Sequence, residues 1–257
     1  MITVQGISYR AGHRFLVQRI DAAFTEGQIH LIIGPNGAGK STLIKLIAGQ
    51  LSPLEGTIHY GNDPLKQLTV THLAKIRAVL SQNVDLAFPM QVAEVVMLGR
   101  YPHFSLRPTR LDEEACHQAM QRYDVLEMAD RDYMTLSGGE KQRVHFARVT
   151  AQLWDPQPEQ VRYLLLDEPL NSLDIYYQYD FMDKVRLLCD EQKLVVVGVI
   201  HDLNLAAKYA DQLVLLHEGK ILASGSPPEV LTPATIHQAY RMQVNTQLEG
   251  NKVRVLF

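Results

Sequence analysis

Cysteine is scarce in this chain, which has 2 cysteines among its 257 residues. Cys116 and Cys189 lie far apart in the sequence and belong to no CxxC pair. This spacing argues against a disulfide scaffold and against a zinc site, because both need closely grouped ligating residues. We therefore expect two buried thiols in a reducing compartment.

Long apolar runs are also missing. Runs such as Leu194–Ile200 are far shorter than the ~20 residues that a membrane-spanning helix needs. The amino terminus, MITVQGISYR, lacks the charged-then-apolar pattern of a signal peptide. These two absences predict a cytosolic chain whose association with a membrane depends on a partner.

The chain has no strong excess of charge of either sign. Its formal net charge is -3, and it contains no long block of like charge. Because nucleic-acid-binding proteins usually have a basic face, we expect no nucleic-acid partner. With 46% hydrophobic and 21% charged residues, the composition is that of an ordinary globular protein.

Short apolar runs alternate with helical patterns along much of the chain. Ile29–Ile33 leads through a glycine-rich turn into the helical pattern of Ser41–Gly49. Val161–Leu166 and Leu194–Ile200 are continuous apolar runs, which are typical of strands buried on both faces of a parallel sheet. The expected fold class is therefore α/β with a parallel sheet.

The remaining segments complete this prediction. Leu213–Leu216 and Lys220–Ala223 flank turn residues and indicate an antiparallel hairpin near the sheet edge. Helix-compatible patterns punctuated by proline cover Val92–Leu98, Leu111–Tyr123 and Glu140–Leu153. We expect a single domain over 1–257, with an α/β core at 1–81 and 152–225, a mostly helical subdomain at 82–151, and a carboxyl-terminal helix and strand at 226–257.

A phosphate-binding pattern, GxxxxGK[ST], lies between the first predicted parallel strand and its helix. It is formed by Gly34, Pro35, Asn36, Gly37, Ala38, Gly39, Lys40 and Ser41, and Thr42 follows. The glycines let successive backbone N–H groups point inward, and the helix adds its positive amino-terminal end. We expect Lys40 to contact the β and γ phosphates and the Ser41 hydroxyl to bind Mg²⁺. The pattern predicts a nucleoside triphosphate site.

Two carboxylates, Asp167 and Glu168, follow the apolar run that ends at Leu166. The carboxyl ends of parallel strands are where ligands bind, so both side chains are expected beside the phosphate loop. We expect Asp167 to hold Mg²⁺, directly or through water. Glu168, expected on the opposite side of the strand, is a candidate general base for an attacking water.

The segment Leu136-Ser137-Gly138-Gly139-Glu140 resembles the signature sequence of the ABC ATPases. Such a helix start exposes amides that can bind a phosphate. The resemblance implies the ABC ATPase fold, which is a P-loop core with a parallel sheet, an antiparallel β edge region and a helical insert. It also implies that the signature residues bind the ATP held by a second copy, so that two copies arranged head to tail enclose two ATP molecules with Mg²⁺.

The same resemblance assigns roles to several further residues. It implies that Gln82 contacts Mg²⁺ or water and that His201 contacts the γ phosphate. It also implies that the segment Asn171-Ser172-Leu173-Asp174 crosses the dimer interface. Tyr9 is similar to the aromatic residue that stacks on adenine, with Phe15 as the alternative. Catalysis would then depend on Glu168, His201, Gln82 and Lys40.

Small departures from the family pattern occur at Lys141, where glutamine is common, and at Leu170-Asn171, where threonine and serine are frequent. We expect neither departure to touch the chemistry.

The stretch Gly99-Arg100-Tyr101-Pro102-His103 resembles ATPases of iron-siderophore, haem and cobalamin importers, and the sequence Gln152-Leu153-Trp154 resembles the haem-import members. The resemblance implies a peripheral subunit on the cytoplasmic face of a bacterial inner membrane, bound to a permease dimer and working indirectly with a substrate-binding protein. A ferric siderophore or cobalamin is the alternative cargo. A soluble ABC ATPase acting on ribosomes or DNA is the alternative of a different class, although it usually carries two such domains or a long coiled coil.

Overall fold

In the computed structural model of the protein, the described residues are 1–81, 88–155, 160–171, 173–250 and 252–257. Helices and strands follow the chain in this order: β1 Ile2–Ala11, β2 Arg14–Phe24, β3 Gln28–Ile33, α1 Lys40–Ile47, β4 Glu55–Tyr60, β5 Asp63–Pro64, α2 Val70–Ile76, β6 Arg77–Leu80, α3 Val92–Met97, α4 Arg110–Arg122, α5 Gly138–Leu153, β7 Tyr163–Asp167, α6 Ile175–Gln192, β8 Val195–Val199, α7 Leu203–Tyr209, β9 Gln212–His217, β10 Lys220–Gly225, α8 Pro227–Val230, α9 Pro233–Tyr240, β11 Asn245–Glu249 and β12 Lys252–Leu256.

The central sheet has the strand order β10-β9-β3-β8-β7-β6. Its strands β3, β6, β7, β8 and β9 run parallel, and β10 pairs with β9 antiparallel. Every residue of β7 and β8 is buried, as their continuous apolar runs predicted. The α/β class, the parallel sheet and the edge hairpin are therefore confirmed.

A second, antiparallel sheet has the order β2-β1-β4-β5. Its inner face packs with one side of α1, through residues such as Leu43 and Ile47, in the same buried cluster as Ile32 and Val197 of the central sheet. This layer fixes α1, and with it the phosphate loop, between two sheets.

The three predicted helices of the middle region are present as α3, α4 and α5. Helix α5 begins at Gly138, two residues before the predicted start, because Ser137 caps it. It packs against α3, α4 and β6. The division into core (1–81, 152–225) and helical subdomain (82–151) stays a prediction.

The carboxyl-terminal region differs in detail from the prediction. The single helix expected after Ser226 is two short helices, α8 and α9, each with proline at its first turn. The predicted strand at Val253–Phe257 is β12, and its antiparallel partner β11 was not predicted. Strand β11 is mostly exposed and lacks apolar alternation, so it leaves no pattern to find.

Both thiols are buried and free, as expected for Cys116 and Cys189. Burial raises the pKa of Cys116 to about 12 and that of Cys189 to about 11. Within the part of the chain that the structure describes, no helix is long and apolar enough to cross a membrane.

Candidate active site

The phosphate loop turns from β3 into α1 through three glycines with positive φ: Gly34 at 148°, Gly37 at 77° and Gly39 at 102°. A Cβ on Gly34 would lie 2.3 Å from the backbone oxygen of Leu216, and one on Gly39 would lie 2.2 Å from that of Leu16. Glycine is therefore required at Gly34 and Gly39 both by conformation and by space. These contacts hold the loop against β9 and β2.

Lys40 is the first residue of α1, and it is only 5% exposed. Its ammonium donates to the backbone oxygens of Gly34 at 2.9 Å and Pro35 at 3.0 Å. Burial lowers the pKa of Lys40, and the charges of Glu168 and Asp167 oppose that shift. The ammonium thus lies on the loop that would receive phosphate, and its hydrogen-bond partners among the described residues are neutral carbonyls that a phosphate can replace.

Asp167 ends β7 and is 6% exposed. Its Oδ1 has no hydrogen-bond partner among the described residues, while the Ser41 hydroxyl bonds to the carboxylate. Burial raises the pKa of Asp167, and the Ser41 hydrogen bond and the nearby lysines Lys45 and Lys40 oppose that rise. An orphaned buried carboxylate oxygen beside a hydroxyl is a donor set that fits Mg²⁺, a cation that binds oxygen ligands.

Glu168 lies just beyond β7 and has φ 52°, so the strand alternation expected from the sequence does not apply to it. Its Oε1 is 2.9 Å from Nε2 of His201, the second residue after β8. Burial would raise the pKa of Glu168, but hydrogen bonds from His201 and Asn171 leave it below its usual value. Strands β7 and β8 are neighbours in the sheet, so their ends bring this carboxylate and this imidazole together, a contact that the sequence reasoning did not state.

Asn171, expected in the segment that crosses the dimer interface, makes a contact that the sequence reasoning missed. Its Nδ2 donates to Oε2 of Glu168 at 2.6 Å. This contact brings the Leu170-Asn171 departure into the group around Glu168, and the expectation that it does not touch the chemistry stays a prediction. No local pattern indicates this contact, because it depends on the turn that the left-handed Glu168 makes after β7.

A cleft of about 240 Å³ lies against this group. Its lining residues include Glu168, Asn171, Gln178, His201 and Asp202. The cleft has room for a water beside the carboxylate. A carboxylate below its usual pKa, next to space for water, can accept a proton.

The signature residues form the start of α5. Ser137 accepts from the Glu140 N–H at 3.3 Å, and the Glu140 carboxylate accepts from the Ser137 N–H at 2.8 Å. Ser137 and Gly138 are exposed. A Cβ on Gly138 or Gly139 would meet no other part of the described chain within 4 Å, and neither φ requires glycine. Neither the packing of the described residues nor the backbone conformation requires glycine at these two positions.

Three residues with predicted roles lie apart from this group or outside the description. Tyr9 is half-buried on β1 and lines a cleft of about 300 Å³ with Pro53 and Leu54. The carboxylate of Asp174 caps α6, accepting from the Tyr177 N–H at 3.1 Å. Gln82 lies outside the described residues. The roles of Tyr9, Asp174 and Gln82 stay predictions.

Known proteins resemble this chain in sequence and in fold. The family described as ABC transporter matches residues 17–171. The hemin import ATP-binding protein HmuV of Escherichia coli O157:H7 is 44% identical over 240 residues, which cover 93% of this chain and 92% of that protein.

Two solved structures share the fold. An inward-facing metal-chelate type ABC transporter has a TM-score of 0.82 at 24% identity, with 100% of this chain and 96% of that chain covered. The dimeric bacterial ABC transporter cassette MJ0796 has a TM-score of 0.75 at 24% identity, with 88% and 99% covered. Since the matched region holds the phosphate loop, the signature and the carboxylates after β7, this chain belongs to the ABC transporter family, as one of its ATP-hydrolysing subunits.

Proposed function

We propose that the chain energises the import of haem by hydrolysing ATP between two copies of itself bound to a permease dimer. The observation that supports hydrolysis is the Glu168–His201 pair at the ends of β7 and β8, with Oε1 and Nε2 2.9 Å apart. The proposal of haem as the cargo depends on the similarity to the hemin import ATP-binding protein HmuV, which is 44% identical over most of both chains. A ferric siderophore or cobalamin is the second candidate, since the Gly99–His103 stretch resembles importers of all three.

The residues of the site divide the chemistry between binding and proton transfer. The loop amides and Lys40 bind the phosphates and neutralise their charge. Glu168 accepts a proton from the attacking water, and His201 contacts the γ phosphate. Ser41 and Asp167, with Gln82, would hold Mg²⁺, which supplies further neutralisation of phosphate charge when bound.

The pairing of two copies is supported by the exposed start of α5. Gly138 and Gly139 leave that helix end open to a close approach from outside the chain. ATP held on the phosphate loop of one copy would fill this position on the other, with Asp174 and its neighbours between the copies and Tyr9 on the adenine. Binding of ATP closes the pair, and loss of the γ phosphate opens it.

Contact with the permease is assigned to the turn after α3. Arg100 anchors this turn, while Tyr101 is 58% exposed and packs edge-on against Phe104. A firmly anchored turn with outward aromatic rings suits an apolar cytoplasmic segment of a permease. The chain would then work at the cytoplasmic face of a bacterial inner membrane, and a substrate-binding protein would act with it only indirectly.

The hydrolytic role is tested with Glu168→Gln, which keeps the size of the side chain and removes the base. We expect it to bind ATP, to accumulate as an ATP-bound dimer in size-exclusion chromatography, and to lose turnover. Hydrolysis at the wild-type rate would show that Glu168 is not the base.

The cargo is tested by growth of a deletion strain on haem or on a ferric siderophore as the sole iron source. Failure on haem with normal growth on siderophore supports haem import. The opposite pattern would move the cargo to siderophore. Growth on both would contradict both assignments and make cobalamin uptake the next measurement.

A further inference from the structure

Both carboxylate oxygens of Glu168 have a side-chain partner. Oε1 lies 2.9 Å from Nε2 of His201, and Oε2 accepts from Nδ2 of Asn171 at 2.6 Å. These two partners come from different segments of the chain, the end of β8 and the loop between β7 and α6. The orientation of the carboxylate is therefore fixed from two directions.

The loop that carries Asn171 is itself held by two carboxamides. Nε2 of Gln142, on α5, donates to the Pro169 oxygen at 2.7 Å. Nε2 of Gln178, on α6, donates to the Leu173 oxygen at 2.9 Å. Leu170 is buried between these anchors. The amide of Asn171 thus projects from a loop anchored to α5 and α6.

The backbone of Glu168 makes such support necessary. Its φ of 52° is a left-handed conformation that a residue with a side chain adopts only where its surroundings enforce it. The glutamate side chain adds rotatable bonds between that backbone and the carboxylate. Without a partner on Oε2, the carboxylate would turn when His201 leaves Oε1.

We infer that Asn171 is a positioning residue for ATP hydrolysis: its amide holds Oε2 of Glu168 so that Oε1 faces the attacking water once His201 has turned to the γ phosphate. This inference rests on the proposed role of Glu168 as the base. A catalytic group displaced by about 1 Å can lose on the order of 100-fold in rate, so a single hydrogen bond is sufficient to matter.

The test compares Asn171→Ala and Asn171→Asp with the wild-type full chain in steady-state ATP hydrolysis. Asn171→Asp keeps the shape and loses the N–H donor. We expect both variants to lower kcat by about tenfold or more and to leave KM for ATP within about twofold, because among the described residues Asn171 has no hydrogen bond to the phosphate loop. Wild-type kcat in both variants would overturn the inference, as would a loss that appears only in KM.

Gln178→Ala is the matched control. Gln178 lines the same cleft and donates to the Leu173 carbonyl of the loop, but among the described residues it has no hydrogen bond to the Glu168 carboxylate. We expect a much smaller loss of kcat in this variant. An equal loss would show that order of the loop, rather than the Asn171 amide, sets the rate.

A double-mutant cycle separates this inference from the role of Glu168. In a Glu168→Gln background, Asn171→Asp should reduce the residual turnover no further and should still allow the ATP-bound dimer to form. An additive loss, or loss of that dimer, would assign Asn171 to another step. Wild-type turnover in Glu168→Gln alone would instead reject the proposed base.

Discussion

Arg100 and Asp112 form a buried ion pair, with Nε and Oδ1 2.9 Å apart and side chains only 6% and 3% exposed. The same guanidinium donates through Nη1 to the backbone oxygens of Ala151 and Trp154, each at 2.8 Å. One side chain therefore joins the turn after α3, the start of α4 and the end of α5.

Removal of Arg100 should be costly for stability. Arg100→Met leaves the Asp112 charge buried and two carbonyls without their donor, so we expect the free energy of unfolding to fall by about 3–5 kcal/mol. Arg131→Met is the control, because its pair with Glu140 spans 3.6 Å and Arg131 is 50% exposed, for which we expect less than about 1 kcal/mol. Urea unfolding measures both, and equal losses would contradict the prediction.

His30 should make the fold sensitive to acid. Its Nε2 accepts from the Thr25 N–H at 2.8 Å, and burial lowers the pKa of His30 from its ordinary value to about 4. The unfolded chain therefore binds this proton more readily, and the stability contributed by His30 is present above about pH 6.5 and is lost as the pH falls towards 4.

Between about pH 7.5 and pH 5, this effect should lower the free energy of unfolding by about 2 kcal/mol. The His30→Gln side chain can still accept from the Thr25 N–H but does not titrate. Urea unfolding of this variant at the two pH values should therefore show a smaller fall in the free energy of unfolding, by the amount that His30 contributes. An unchanged pH dependence in that variant would assign the acid sensitivity to other groups.

Two glycines of the phosphate loop should respond differently to a methyl group. Gly34→Ala places a Cβ 2.3 Å from the Leu216 oxygen, whereas Gly37→Ala meets nothing in the described chain within 4 Å. We expect Gly34→Ala to weaken ATP binding at least tenfold, about 1.4 kcal/mol, by moving the loop. Gly37→Ala should mainly cost stability, by about 1–2 kcal/mol for its left-handed φ. Nucleotide titration measures the ATP affinity of the two variants, and urea unfolding measures their stability. Similar ATP affinities in Gly34→Ala and Gly37→Ala would refute the steric argument.

The signature glycines should separate stability from activity. Since alanine favours helix more than glycine does, Gly139→Ala should raise the free energy of unfolding by up to about 1 kcal/mol. The added methyl would meet nothing inside the described chain. In the proposed pair of copies, it would lie where the ATP of the second copy approaches. We therefore expect ATPase activity and ATP-dependent dimer formation to fall. A variant that is stabilised and fully active would argue against the proposed pairing.

The sequence predicted those parts of the site that depend on local patterns. The phosphate loop and the positions of Asp167, Glu168 and His201 at strand ends follow from strands that end at one edge of a parallel sheet. The Asn171 contact could not be predicted in this way, because it depends on a backbone turn at Glu168 and on loop anchors from two helices.

Similar limits applied to the fold. Strands β7 and β8 were recognisable because burial on both faces leaves a continuous apolar run. Strand β11 was not, since its exposed polar residues are held by pairing with β12. Hydrophobic periodicity in the sequence indicates which residues are buried. It does not indicate an exposed strand such as β11, which depends on hydrogen bonding to a neighbouring strand.

The hydrogen bond from Gln142 to the Pro169 oxygen has a consequence for turnover in the proposed pair. Helix α5, whose start would face the nucleotide of the second copy, therefore contacts the loop that follows Glu168 in its own copy. Departure of one γ phosphate then disturbs the water-activating group of the opposite site. We expect the dependence of hydrolysis rate on ATP concentration to be sigmoidal in the wild type, and closer to hyperbolic in Gln142→Ala.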